Sequence, residues 1–253
     1  MEDTQKPYIL ITNDDGIGSS AMISLAEALS EKSRVFVVAP KNEQSGVGHA
    51  FTHRSGLVCK KVSGDFPFEF HSISGTPADC VKFAVSELYR NFSFDLVISG
   101  INFGENAGVS SFYSGTVAGA REAALWGLRG LAISLSRSDK AWIRLAIGQA
   151  SRIVAEKLYL KMARGTYWNV NFPLTEIENY QGLRVAPMNH SMFTDHYRLK
   201  EGSFWLHGEK LPEAMREGSD DWCLSNGYAS LTPFALEQTA PGECLRLQEF
   251  LNT

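Results

Sequence analysis

Short, continuously apolar segments alternate with stretches of helical periodicity, and this alternation constrains the fold more than any other feature of the sequence. The apolar segments are "YILIT", "RVFVVAP", "FDLVISG", "GLAISL" and "YWNVNFP". Strands that are apolar on both faces are typical of parallel sheets that carry helices on both sides. The sequence therefore predicts an α/β fold with a mostly parallel sheet.

The segments between these strands carry apolar residues at helical spacing, and the most regular of them predicts a helix over about residues 141–162. "GLVCKKV" and "FEFHSI", which follow the second strand, predict a hairpin insertion. From about residue 181 the helical periodicity fades, and aromatic residues lie in short extended pieces. We therefore predict a core over residues 1–180 and a β-rich C-terminal extension over residues 181–253.

Composition narrows the classes of partner. The 253 residues carry a formal net charge of −4, so no overall basic field favours a nucleic acid polymer or an anionic membrane. The four cysteines lie far apart, without the paired spacing of zinc or dithiol sites. No apolar stretch approaches the ~18 residues that a membrane span needs. We therefore expect a cytoplasmic protein without a nucleic acid or membrane partner.

Polar clusters follow three of the predicted strands. "NDDG" follows the first strand, "PKNEQSG" the second, and "SGINFGENAG" the "FDLVI" strand. In an open parallel sheet the carboxyl ends of the strands share one edge, where ligands bind at the switch in strand order. Neighbouring side chains of a strand point to opposite faces, so Asp14 and Asp15 can meet one target only where the backbone turns, and Gly16 permits that turn. We expect the clusters to converge on one pocket.

The predicted pocket offers oxygen ligands only. Asp14 and Asp15 supply carboxylates, Ser45 a hydroxyl and Asn102 an amide oxygen. This set suits Mg²⁺, Mn²⁺ or Ca²⁺ and argues against a zinc site built on histidine and cysteine. Two carboxylates balance a divalent cation, and the neutral ligands leave it able to attract a further anion. We therefore predict one divalent metal ion per subunit, with a phosphate group as the anion.

Glycines beside Ser, Thr or Asn surround the predicted metal site. "YSGTVAGAREAA" has the form of a helix start in which backbone N–H groups can hold phosphate oxygens without lysine or arginine. For any single glycine a tight turn or a helix cap is the simpler explanation. Their joint placement favours a phosphate site.

Seven motifs carry a resemblance to a known family. In chain order they are "ITNDDG", "VVAPKNEQSGVG", "SGTPADCV", "VISGINFGENAG", "YSGTVAGAREAA", "NVNFP" and "DDWCLSNGYASLTPF". Over about residues 8–236 the chain resembles the SurE family of survival-protein 5′-nucleotidases. The resemblance implies a Rossmann-like three-layer αβα core and a divalent-metal-dependent phosphatase that acts on nucleoside 5′-monophosphates. It further implies activity on 3′-monophosphates and short polyphosphate.

The resemblance also implies roles for individual residues. It places the metal on Asp14, Asp15, Ser45 and Asn102, the same four residues that the oxygen-ligand argument selects. The residues predicted to bind phosphate or substrate are Asn13, Gly46, Asn106, Ser114, Gly115 and Thr116. Finally, it implies a homodimer or a dimer of dimers that exchanges C-terminal arms, so residues 181–253 are expected to serve oligomerisation and to form pocket walls.

The catalytic mechanism and two other functions stay open at this level. No Ser–His–Asp series or "CxxxxxR" loop supplies a nucleophile, so hydrolysis by metal-activated water is the economical mechanism. Asp14 or Asp15 could instead act as base or nucleophile. A nucleotide-sugar transferase would also use an aspartate-rich metal site, and a non-catalytic module would bind metal and nucleotide without turnover. His49 and Glu122 receive no catalytic role, because a loop histidine is commonly solvated and the glutamate suits an ion pair.

Overall fold

A nine-stranded, mostly parallel sheet forms the centre of the protein in the computed structural model, which describes residues 6–190, 192–211 and 215–252. The strands among these residues are β1 (Tyr8–Thr12), β2 (Arg34–Pro40), β3 (Cys59–Lys61), β4 (Glu69–Ile73), β5 (Leu96–Phe103), β6 (Gly130–Leu135), β7 (Thr166–Phe172), β8 (Leu183–Val185), β9 (His196–Lys200), β10 (Ser203–His207) and β11 (Ala229–Ala235). The sheet has the order β3-β4-β2-β1-β5-β6-β7-β11-β8, and β9 and β10 form a separate hairpin.

Helices cover both faces of the sheet. They are α1 (Ser20–Ser30), α2 (Pro77–Phe83), α3 (Gly115–Leu125), α4 (Lys140–Ala155), α5 (Asp220–Ser225) and α6 (Pro241–Leu251). Ile9 and Ile11 of β1 pack in one core cluster with α1 and α4, whereas Leu10 between them packs with α2 and α3. Because side chains of a strand alternate between faces, this continuous apolar run supplies both cores. The predicted three-layer α/β fold is confirmed.

The strand order reverses between β1 and β5. From β1 the chain moves outward to β2 and β4, and it then returns to pair β5 with the other side of β1. From β5 it continues outward through β6 and β7, again with parallel pairing. The carboxyl ends of β1 and β5 therefore flank the switch point, which is where such sheets bind ligands.

Two features of the fold differ from the sequence predictions: the end of one helix and the pairing of one strand. The helix predicted over residues 141–162 ends at Ala155, because Lys157 adopts a left-handed backbone with φ of 52°, and a separate short 3₁₀ helix follows over Leu158–Lys161. The predicted hairpin of β3 and β4 forms, but β4 also pairs in parallel with β2. The hairpin thus extends the central sheet.

The predicted C-terminal extension contributes to the central sheet as well. β11 pairs antiparallel with β7 and parallel with β8. The extension also contains α5, α6 and the β9–β10 hairpin. Parts of the two predicted segments, residues 1–5, 191, 212–214 and 253, lie outside the described residues. No helix among the described residues combines the length and apolarity of a membrane span.

Candidate active site

The predicted "NDDG" turn follows β1 directly. The side-chain amide of Asn13 donates to the carbonyl oxygen of Gly16 at 3.0 Å, and the N–H of Ile17 donates to the carbonyl of Pro40 at 2.7 Å. Gly16 has a φ of 92°, and a Cβ atom there would lie 3.1 Å from the carbonyl carbon of Asn42. Only glycine fits this turn easily, and the turn brings the end of β1 against the loop after β2.

Asp14 is buried against the first turn of α3. Thr116 donates its backbone N–H to Oδ2 of Asp14 at 3.1 Å and its hydroxyl to Oδ1. A Cβ atom on Gly115 would lie 3.0 Å from Cβ of Asp14, so glycine permits this approach. Burial raises the pKa of Asp14, and the hydrogen bonds from Thr116 oppose the rise. Ser114 caps the helix by accepting the N–H of Val117 at 3.1 Å.

Asp15 faces the other flank of the switch point. Its carboxylate lies near the backbone of Phe103, the last residue of β5. Burial and the neighbouring charges of Asp14 and Glu43 raise the pKa of Asp15 to about 6, although the backbone of Phe103 opposes the rise. Oδ2 of Asp15 is buried and has no hydrogen-bond partner. A buried carboxylate oxygen of this kind is suited to a cation.

Asn102 and Asn106 lie at the end of β5 and in the loop after it. The register between β5 and β6 shifts between Ser99 and Asn102, and the amide nitrogen of Asn102 donates to the carbonyl oxygen of Gly104 at 2.7 Å. This orientation makes the amide oxygen of Asn102 the ligand-capable atom. Asn106 donates its side-chain amide to the hydroxyl of Ser134 at 2.9 Å. The shift and these bonds set the direction of both side chains.

Sequence reasoning missed two residues that hold Asn106. The amide oxygen of Asn171 accepts the backbone N–H of Asn106 at 2.7 Å, and Asn169 donates its side-chain amide to the carbonyl oxygen of Asn106 at 2.8 Å. Both belong to β7 and are fully buried. The sequence does contain a signal for this contact: two asparagines lie in a strand that is otherwise apolar and predicted to be buried, and buried amides need hydrogen-bond partners.

The loop after β2 brings Ser45 and Gly46 to the same edge. The backbone N–H of Gln44 donates to the carbonyl oxygen of Asp14 at 2.8 Å, and both Ser45 and Gly46 are exposed. The hydroxyl of Ser45 donates to Oε1 of Glu43 at 2.6 Å. Sequence reasoning also missed Glu43, a third carboxylate whose charge raises the pKa of Asp14 and Asp15.

The donor set at this edge suits a hard divalent cation. Within the described residues, no group of three or more His, Cys, Asp or Glu side chains is placed to hold a metal ion. A site built from Asp14 and Asp15 must therefore be completed by neutral oxygens such as those of Ser45 and Asn102. Oxygen ligands of this kind are preferred by Mg²⁺, Mn²⁺ and Ca²⁺. The ligand roles of these four residues stay predictions.

Comparison with known proteins extends the similarity over the whole fold. A sequence profile of the family described as "Survival protein SurE" matches residues 9–195. The "5′-nucleotidase SurE" of Flavobacterium johnsoniae is 37% identical over 250 residues, which are 95% of this chain and 95% of that protein. The protein of the same name from Rhodopirellula baltica is 35% identical over 239 residues, or 91% and 93% of the two chains. The crystal structure of the SurE protein from Aquifex aeolicus has a TM-score of 0.83 at 32% identity and covers 98% of this chain and 100% of that one.

Proposed function

Because the chain belongs to the SurE family, we propose that it is a 5′-nucleotidase, which hydrolyses nucleoside 5′-monophosphates to nucleoside and phosphate with the aid of a divalent metal ion. The observation that carries this proposal is the pair of adjacent carboxylates at the switch point, of which Asp14 is buried and Asp15 is half-buried. Asp14 is fixed by Thr116, and Asp15 carries a buried oxygen without a partner. A cation at this position would satisfy that oxygen and offset two adjacent negative charges.

The ion would be held by Asp14, Asp15, Ser45 and Asn102. Mg²⁺ or Mn²⁺ suits this set best, and Ca²⁺ could occupy it. When bound, such an ion would supply Lewis-acid chemistry: it would polarise a phosphoryl oxygen and lower the pKa of a water molecule. Asp14 and Asp15 are catalytic in this proposal because they hold and orient the ion.

The phosphate would lie at the start of α3, where Ser114, Gly115 and Thr116 form the first turn. Backbone N–H groups and the positive end of the helix dipole favour a phosphate dianion there. Asn106 would donate from the loop after β5, where Ser134 and the asparagines of β7 fix its position. Asn13 and Gly46 adjoin the same edge. These groups orient the phosphate for in-line attack by water.

The test is release of inorganic phosphate from a panel of nucleoside 5′- and 3′-monophosphates and short polyphosphate. The protein is first stripped of metal and then assayed with Mg²⁺, with Mn²⁺ or with EDTA. We expect the highest turnover with 5′-monophosphates and Mg²⁺ or Mn²⁺, lower turnover with the other substrates, and none in EDTA. Full activity in EDTA after stripping would contradict the proposal.

The same assay separates the two other functions. A nucleotide-sugar transferase would transfer a glycosyl group to an acceptor and release little phosphate from monophosphates. A non-catalytic module would bind nucleotide without turnover. We rank both below the nucleotidase, since the relatives that match over most of the chain are named 5′-nucleotidases.

We further propose that the working protein is a homodimer or a dimer of dimers, in the cytoplasm. The β9–β10 hairpin and α6 support the assembly, because none of the residues of either element is buried. Large apolar side chains on them are exposed: Tyr197, Leu199, Phe204, Trp205, Leu206, Leu245, Phe250 and Leu251. Apolar surface of this extent is characteristic of a protein interface.

A further inference from the structure

A buried carboxylate in α3 joins the loop that carries Ser45 to the helix that begins at the proposed phosphate site. Glu122 lies about two turns after Gly115, and its side chain is only 3% exposed. His49 Nε2 lies 2.8 Å from Oε2 of Glu122, and Lys82 Nζ lies 2.8 Å from Oε1. The indole N–H of Trp126 donates to Oε1 at 2.9 Å.

The glutamate is ionised at neutral pH. Its burial raises the pKa, but the hydrogen bonds from His49, Lys82 and Trp126 lower it to about 2. A buried charge needs hydrogen-bond donors, and several of them hold this carboxylate in one orientation. The three donors come from the loop after β2, from α2 and from the residue that ends α3.

The far half of the loop is attached to the protein at several further points. The N–H of Gly48 donates to the carbonyl oxygen of Tyr113 at 2.9 Å. Thr52 donates its backbone N–H and its hydroxyl to the two carboxylate oxygens of Asp79, at 2.8 and 2.7 Å. The hydroxyl of Thr76 donates to the carbonyl oxygen of Ala50 at 2.7 Å. By contrast, Ser45 and Gly46 are exposed and lie between this attached half and the bond from Gln44 to Asp14.

From this geometry we propose that Glu122 is a positioning residue for the proposed metal site, acting through His49 on the loop that bears Ser45. This inference rests on the proposed function. Among the attachments of the far half of the loop, the one at Glu122 joins a side chain within four residues of Ser45 to a buried carboxylate of α3. This contact therefore makes the distance between Ser45 and the first turn of α3 depend on one buried carboxylate. Misplacement of a metal ligand weakens the binding of the metal ion.

The test compares Glu122→Gln, His49→Phe and His49→Gln with a control, Trp126→Phe. The control removes the donor at the C-terminal end of α3 and leaves the contact between His49 and Glu122 intact. Three properties are measured: amide hydrogen exchange of residues 44–50 in the metal-free protein, the KM and kcat for a nucleoside 5′-monophosphate with Mn²⁺, and the affinity for Mn²⁺. Calorimetry with Mn²⁺ alone gives the metal affinity without any turnover.

We expect faster exchange of the loop in Glu122→Gln and His49→Phe, with metal affinity lowered about tenfold, on the scale of lost outer-shell contacts. KM should rise while kcat changes much less. His49→Gln, which keeps a donor near Glu122, should retain most of the protection. Trp126→Phe should match the wild type in loop exchange and in metal affinity. Wild-type exchange and metal affinity in Glu122→Gln would overturn the proposal, even if its melting temperature fell.

Failure of this inference is distinguishable from failure of the proposed function. If the wild-type protein released no phosphate with any metal, the nucleotidase would be wrong, but exchange and Mn²⁺ affinity would still show whether Glu122 fixes the loop. If the wild type were active and the loop exchanged at the same rate in all variants, only the positioning role would be wrong.

Discussion

Thr116 donates two hydrogen bonds to the carboxylate of Asp14, although 102 positions separate the two residues in the chain. The pair fastens the turn after β1 to the first turn of α3. Thr116 is fully buried and Asp14 is 5% exposed, so water has little access to replace either bond. The orientation of Asp14 is therefore set by α3, and a change at Thr116 should act on the metal site.

We predict that Thr116→Val lowers both activity and stability. Valine keeps the shape of threonine but leaves Oδ1 of Asp14 without its donor, and such a buried acceptor costs about 1–3 kcal/mol. With the carboxylate free to turn, kcat/KM should fall about tenfold, as for other lost outer-shell contacts. The measurements are steady-state kinetics and urea denaturation. Thr116→Ser restores a hydroxyl and should recover most of the loss, whereas equal losses in both variants would show that packing alone is responsible.

Asp14→Asn tests the ligand assignment itself. The substitution keeps the shape and removes one charge, so we expect weaker metal binding and activity reduced at least ~100-fold. Ser45→Ala should have a smaller effect, because water can replace a neutral hydroxyl ligand. Activity is titrated against Mg²⁺ and Mn²⁺ in both variants. Near-normal turnover of Asp14→Asn at low metal concentration would show that the assignment is wrong.

Lys210 connects the loop after β5 to the start of α5. Its ammonium lies 2.6 Å from Oδ1 of Asp221, which is 2% exposed, and 2.9 Å from Oε1 of Glu105, which is 38% exposed. We predict that Lys210→Met costs about 3 kcal/mol of unfolding free energy, because it leaves the buried charge of Asp221 without its ion-pair partner. Glu105→Gln should cost less than about 1 kcal/mol, because that partner is solvated. Urea denaturation at one protein concentration measures both, and equal costs would contradict the distinction.

Much of the core could be predicted because its signals are local. A continuous apolar run such as that of β1 supplies both faces of a covered strand, and Gly16 after Asp15 predicts a turn at its end. The end of the long amphipathic helix could not be predicted in this way. Ala155 ends it because Lys157 takes a left-handed conformation, although the apolar spacing continues to Leu158.

The contacts that support the site are long-range, and this is why the sequence did not reveal them. Asn169 and Asn171 lie more than 60 positions from Asn106, the residue they hold. The sequence of β7 is typical of a buried strand. The role of its asparagines in holding Asn106 becomes clear only when the loop after β5 lies beside the strand. Similarly, β11 joins the central sheet by pairing with β7, a contact that depends on strand order.

The ionisation of Glu122 predicts a dependence of stability on pH. Its folded pKa of about 2 lies below the value near 4.3 of an unfolded glutamate, so between these values the unfolded chain binds more protons. The stabilisation is therefore complete above about pH 5 and is lost as the pH falls towards about 2. We expect the difference in unfolding free energy between the wild type and Glu122→Gln to shrink by up to about 3 kcal/mol over this window. A difference that is constant with pH would show that the carboxylate is not held in its charged form.

Removal of α6 tests the proposed assembly. A truncation before β11 would be uninformative, because it would leave the β7 edge of the central sheet open. A chain that ends at Thr239 instead keeps every strand among the described residues and loses residues 240–253, which contain α6. In this helix Leu245, Phe250 and Leu251 are at least 68% exposed. Because such apolar surface favours burial against a second copy, we expect the full chain to be a dimer or tetramer at micromolar concentration and the truncated chain to shift towards monomer. Light scattering coupled to gel filtration measures both masses. A monomeric full chain would refute the assembly. An oligomer unchanged by the truncation would exclude α6 from the interface. The β9–β10 hairpin would then be tested with the double substitution Phe204→Ser and Leu206→Ser.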